Sequence, residues 1–176
     1  MLEEYLPHPE ATAILEGDIQ RDLPPNVREV LLDVILAWAN LDMATAFFVA
    51  SLFGLSPDEG ADKFGRKEIA DKLRRASKAL RESGNTNAAI KVGEIAEAYP
   101  DKALMRRRIA HSRCAGVRKS APDRVIFLPF EREGPPGHLA VEIIHISKFA
   151  DAVAWADEAH TYFMQHADSA GFFNER

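Results

Sequence analysis

Apolar positions along the first two thirds of the chain recur at helical spacing. Residues 9–20 read as a short helix, and Leu23-Pro24-Pro25 breaks it. Residues 27–55 then form the most apolar stretch, with Val34, Ile35, Leu36, Trp38, Phe47, Phe48, Val49, Leu52 and Phe53. Asn26 can cap that helix, with Glu29 three positions on, as in a capping box. Gly54 and Ser56-Pro57 end it, and a short helix is expected over 57–63. Residues 66–81 place Ile69, Leu73, Ala76 and Leu80 on a narrow stripe that Gly84 stops. A helix over 86–99 follows, Pro100 predicts a kink or break, and a second piece runs over 102–113. The period then changes. RVIFLPF (124–130) and HLAVEIIHI (138–146) are β-prone runs separated by Glu-Arg-Glu-Gly-Pro-Pro-Gly, the pattern of a hairpin with a long loop. Ser147 is placed to cap a last helix reaching about residue 167, with Phe149, Val153, Ala156, His160 and Phe163 on one stripe and a fraying tail beyond. The fold expected is mainly α: a helical bundle with a β-hairpin insert before the last helix. It forms a single domain over 1–176, with its core at about 26–167 and its hairpin at about 124–146.

Composition narrows the class. At 176 residues, 47% hydrophobic and 28% charged, the chain can bury a core without disulfides and is neither fibrous nor wholly disordered. One cysteine, Cys114, cannot form an internal disulfide, which points to a reducing compartment. The N-terminus is acidic and lacks the apolar core of a signal peptide. The apolar stretch 27–55 carries Asp33 and Asp42, each costing about 2.5–3.5 kcal/mol at bilayer depth, so it reads as a soluble helix and not a membrane span. A cytoplasmic location is expected, with no membrane partner. Apolar around most of its circumference, this helix belongs in a bundle centre or a subunit interface, and a homodimer is expected.

Charge is unevenly placed. Lys102, Arg106, Arg107, Arg108, Arg113, Arg118, Lys119 and Arg124 face only Asp101 and Asp123 within 101–124, a local +6 in a chain whose net charge is −5. Such an island suggests a local anion site more than a broad nucleic-acid footprint; the alternative is a solvated face paired with acids elsewhere. Within it runs Arg106-Arg107-Arg108-Ile109-Ala110-His111-Ser112-Arg113. On a helix, Arg107 and Arg108 share a face with His111, and Arg106 lies farther round but has a long side chain. Guanidiniums bind phosphate bidentately, and an imidazole can take a proton from a ribose hydroxyl near neutral pH. The adjacent charges can stabilise a pentacoordinate phosphate. These are the pieces of RNA transesterification, with no cofactor and no metal called for.

Other candidates read as structural. Cys114, three after His111, lacks an orienting acid and is expected to be a partly buried free thiol. His160 and His166 are six apart, which is not metal-site spacing on a helix. His138 and His145 lie on or beside the second strand, and Trp38 and Trp155 belong to the core or an interface. P-loop, G-x-G-x-x-G, Cys-x-x-Cys and G-x-S-x-G patterns do not occur.

The run RRRIAHS, with Arg-x4-His from Arg106 to His111, resembles the signature of HEPN domains. These are helical-bundle domains of prokaryotic toxins, defence proteins and RNA-processing nucleases, in which Asn often stands where this chain has Arg107. The order of a long apolar helix, middle helices, motif, hairpin and closing helix is similar as well. The resemblance implies a dimer with two motifs facing one groove, cutting RNA without metal. Arg106 and His111 would be catalytic, and Arg107, Arg108 and Arg113 would contact nucleic acid. It also implies an alternative, since some relatives are silent and only bind RNA, nucleotides or a protein partner such as an antitoxin. A third reading makes the chain a structural helical dimer with decorative arginines. The first requires His111 exposed; the third predicts it buried and the arginines dispersed.

Overall fold

The computed structural model describes residues 4–129 and 136–173. Phe130 and most of the expected hairpin loop lie outside the described residues, as does the end of the tail. The order is β1 (Glu4–Pro7), α1 (His8–Gly17), β2 (Ile19–Gln20), α2 (Pro25–Leu52), α3 (Pro57–Phe64), α4 (Ile69–Glu82), α5 (Thr86–His111), β3 (Ser112–Arg118), β4 (Arg124–Pro129), β5 (His138–His145) and α6 (Ile146–Ser169). The protein is mainly helical, as the periodicity predicts, with six helices among the described residues. The two expected strands are β4 and β5, but they sit inside a five-stranded antiparallel sheet of order β1-β5-β4-β3-β2. Contacts divide the described residues into two compact units. One takes Met1–Ile35 and Ala103–Ala152, the other Leu36–Lys102 and Val153–Arg176.

In the first unit the sheet has two different faces. Directly opposed residues of an antiparallel pair project to the same side. Ile126 faces Ile143, and Leu6 faces Leu139. With Ile19, Val141, Ala115 and Leu128 they pack around Ala11, Ile14 and Leu15 of α1. On the other face Phe127 is fully buried and its ring lies 5.8 Å from that of Phe149 on α6. β2 is held where Gly116 takes φ +140° at a bulge, because a Cβ there would come within 2.2 Å of the Gln20 carbonyl oxygen. Only glycine fits that approach.

The second unit is built around aromatic side chains from α2 and α6. Phe48 stacks on Phe163 at 4.9 Å, and Trp38 lies 5.9 Å from Trp155. Trp38 is buried, and its Nε1–H has no hydrogen-bond partner. Ser56 and Glu59 close a capping box at the start of α3, and Gly60 lets that helix pack against Ala50. On α4, Ile69, Leu73, Ala76 and Leu80 are buried, the stripe its sequence predicts. Lys72 is also fully buried, with its ammonium 2.7 Å from the Asp42 carboxylate and 3.1 Å from the Asp42 carbonyl.

One boundary differs in a way that bears on the site. The chain does not break at Pro100, since α5 is a single helix from Thr86 to His111. Proline removes one helical hydrogen bond, a cost that packing on both sides can offset. Buried Val92 and Ile95 precede it, and buried Ala103 and Met105 follow. The helix also stops two residues earlier than expected, so Ser112 and Arg113 open β3.

Candidate functional site at the end of helix α5

The arginine run is helical through His111, the last residue of α5. Arg106, Arg107 and His111 are exposed. Helix geometry puts Arg107 about 40° round the axis from His111 and one turn below it, whereas Arg106 is about 140° away. Within one chain, Arg107 and His111 are therefore the same-face pair.

Arg108 turns the other way. Its Nε is 2.5 Å from Oε2 of Glu142 on β5, and the two side chains are 13% and 1% exposed. Glu142 stands opposite Phe127 in the sheet, so this ion pair belongs to the buried face that Phe149 covers. A carboxylate inside apolar packing needs a cation to offset its desolvation, and Arg108 supplies it. As part of the arginine run Arg108 is expected to contact nucleic acid, but its guanidinium is engaged with Glu142 in the interior. Glu142 was missed by sequence reasoning. Its signal was a single acid within the β-prone run HLAVEIIHI, which asks for a buried partner.

The rest of the island scatters. Arg113 is exposed on β3 opposite Leu128, on the sheet face that α1 covers, and so lies apart from the helical pair. Arg118 is bound at 2.5 Å to Asp18, which also accepts hydrogen bonds from the Ser120 backbone and hydroxyl. Those Ser120 bonds, helped by Arg118, hold the Asp18 carboxyl down at about 2. Lys119 donates to the Gly17 carbonyl. Two of the eight cations are thus committed to the α1–β2 turn and one to Glu142.

Cys114 is exposed, and partial desolvation pushes its thiol up, against a weaker lowering by the Gly116 backbone, so it is no ready nucleophile. His145 bonds Asp123 through Nε2 at 2.8 Å, and its Nδ1 accepts the Ser147 backbone N–H. It therefore caps α6 from two positions before the expected Ser147. Among the described residues no three His, Cys, Asp or Glu side chains gather as a metal site. A cleft of about 410 Å³ lined by Lys91, Asp157, Glu158, Thr161, Tyr162 and Gln165 contains none of the arginines.

No protein-family profile, curated protein or solved structure matches this chain. The geometry of α5 and its surroundings therefore carries the functional argument.

Proposed function

We propose that the end of α5 is a phosphodiester site and that the protein is a HEPN-like, metal-independent ribonuclease acting as a cytoplasmic homodimer. The observation that carries this reading is the exposure of His111, with Arg107 on its face of the helix and Arg106, also exposed, farther round the same last two turns. His111 takes the proton of the 2′-hydroxyl, the 2′-oxygen attacks phosphorus, and the 5′-oxygen leaves and takes a proton from solvent. Arginine offsets the charge that builds on the phosphoryl oxygens, with Arg106 as the phosphate stabiliser. A second copy is expected because α2 exposes Leu32, Ile35, Leu36 and Met43, large apolar residues with no cover in a single chain. A toxin or defence setting, with a protein partner as antitoxin, follows from the resemblance of RRRIAHS alone.

Cleavage of RNA in excess EDTA tests the reading. Product ends should carry a 2′,3′-cyclic phosphate, and Arg106→Ala should slow the reaction on the order of 10²-fold. The dispersal of Arg108, Arg113 and Arg118 is what the structural-dimer reading expects, but His111 is exposed, which that reading does not; together they favour as second reading a silent module that binds RNA or a nucleotide at a small anion site. That reading predicts salt-sensitive binding without product.

A further inference from the structure

We propose that Ser147, His145 and Asp123 form a further reactive centre, a nucleophile–base–acid relay at the start of α6 that hydrolyses small esters carrying an anionic group. It does not depend on the ribonuclease reading of the α5 end. His145 closes β5 and Ser147 lies in the first turn of α6, so the strand-to-helix junction holds both backbones. Asp123 precedes β4, and its carbonyl accepts the Ile146 N–H at 2.8 Å, which ties the acid to the same junction. The side chains then run in series. Asp123 Oδ2 is 2.8 Å from His145 Nε2, and His145 Nδ1 is 2.9 Å from the Ser147 hydroxyl. A carboxylate at Nε2 favours the ring proton there, and the Ser147 N–H donating to Nδ1 at 3.1 Å requires the same tautomer. Nδ1 is thus the unprotonated nitrogen, and it meets the hydroxyl. Capping α6 needs only the backbone bond; it calls for neither a hydroxyl on the same nitrogen nor a carboxylate behind the ring. A serine, a base within hydrogen-bond reach and a third group orienting that base are the parts that activate a weak nucleophile.

The setting selects the substrate. Ser147 is exposed, and the His145 and Asp123 side chains are 41% and 52% exposed, so a small ester reaches the hydroxyl without a pocket. Arg124 stands opposite His145 in the ladder and therefore projects to the same side of the sheet. It is exposed and has no ion-pair partner among the described residues, which suits it to an anionic group on the ester. Ser147 Oγ attacks the carbonyl carbon as its proton passes to His145 Nδ1. The Lys148 N–H, in a first turn whose amides lack intrahelical partners, can donate to the oxyanion. The carbon–oxygen bond to the leaving group breaks, and the departing oxygen takes the proton from Nδ1 and leaves as the alcohol. Water then attacks the acyl-serine with Nδ1 again as base, which restores the hydroxyl and releases the acid.

The test uses the full chain with a fluorophosphonate, phenyl acetate and para-acetoxybenzoate as probes. The fluorophosphonate should add to Ser147 with loss of fluoride, seen as a mass shift of the peptide that contains Ser147. Both esters should be hydrolysed, para-acetoxybenzoate with the higher kcat/KM, and Arg124→Ala should remove that preference while leaving phenyl acetate unchanged. Ser147→Ala should abolish labelling and slow hydrolysis on the order of 10²-fold. His145→Asn keeps a side-chain acceptor for the helix cap but has no base. It should lose activity as Ser147→Ala does, with circular dichroism and denaturation midpoint held. Asp123→Asn tests the positioning role: it should lower kcat with KM unchanged and move the His145 ring-nitrogen resonances toward a mixture of tautomers. An unlabelled Ser147 in the wild type overturns the proposal, as does equal ester hydrolysis by the wild type and folded Ser147→Ala. Wild-type labelling in folded His145→Asn also overturns it and leaves the three residues as a helix cap alone.

Discussion

His111 and the arginines before it occupy a helix C-terminus, where the macrodipole favours cations whatever their function. That preference alone accounts for one or two positive side chains in the last turn. It does not account for an arginine sunk against a buried glutamate while the two arginines before it are exposed. The run was legible as helical through His111, and the exposure of Arg106 and His111 is what the ribonuclease reading needs. Which arginine turns inward was not legible, because that depends on Glu142, some thirty residues on in a strand. Asp18 offers an independent residue-level check. Its carboxyl is depressed to about 2 from an ordinary 3.8, so it stabilises the folded state above about pH 4, and that contribution is lost as pH falls toward 2. Asp18→Asn should therefore lower the urea midpoint at pH 6, and the two curves should converge near pH 2. A constant gap across that range would mean that the carboxylate is not what stabilises the turn.

Among the elements, the long periodic helices were the most readable and the short strands the least. α2 and α4 follow from stripes of apolar residues, whereas β1 and β2 have four and two residues and exist only because β5 and β3 offer edges to pair with. β3 reads SRCAGVR, with a bulge between Cys114 and Gly116 that destroys the alternation by which strands are recognised. Pro100 misleads in the opposite direction, since a rule about local hydrogen bonding yields to packing on both sides. Ser56→Ala should cost about 1 kcal/mol by opening the capping box of α3, seen as a lower denaturation midpoint with unchanged slope. The Lys72–Asp42 pair predicts an asymmetry. Lys72 is fully buried and the Asp42 side chain is 42% exposed. Asp42→Ala strands a buried ammonium, while Lys72→Met leaves only a surface carboxylate. The first should destabilise more than the second, and the reverse order in a denaturant series would show that the pair is not held together as described. Gly116→Ala should be the most disruptive small change in the sheet, because the Gln20 carbonyl already occupies the space a methyl needs.

For the molecule as a whole, mainly α character and the late hairpin were correctly anticipated from the change of period near residue 124. The full sheet was not, because its other three strands come from segments that read as helix or loop. α2 is long and apolar enough to cross a membrane by length and composition, and 44% of its most apolar window is buried. The remaining apolar surface, centred on Leu32, Leu36 and Met43, is what a second copy would cover, at about 1.5–3 kcal/mol for each large side chain removed from water. Light scattering should show a dimer at micromolar concentration, and Leu36→Lys should drive it to monomer; a wild-type monomer that does not grow on concentration would rule out the shared-groove arrangement. The central claim is that His111 moves a proton in RNA cleavage. Wild type and His111→Ala, purified side by side and assayed on RNA in excess EDTA, test it most directly. The wild type should leave 2′,3′-cyclic ends and the variant should be slower by about 10²–10⁴-fold; equal cleavage by both proteins, or none by either, would contradict it.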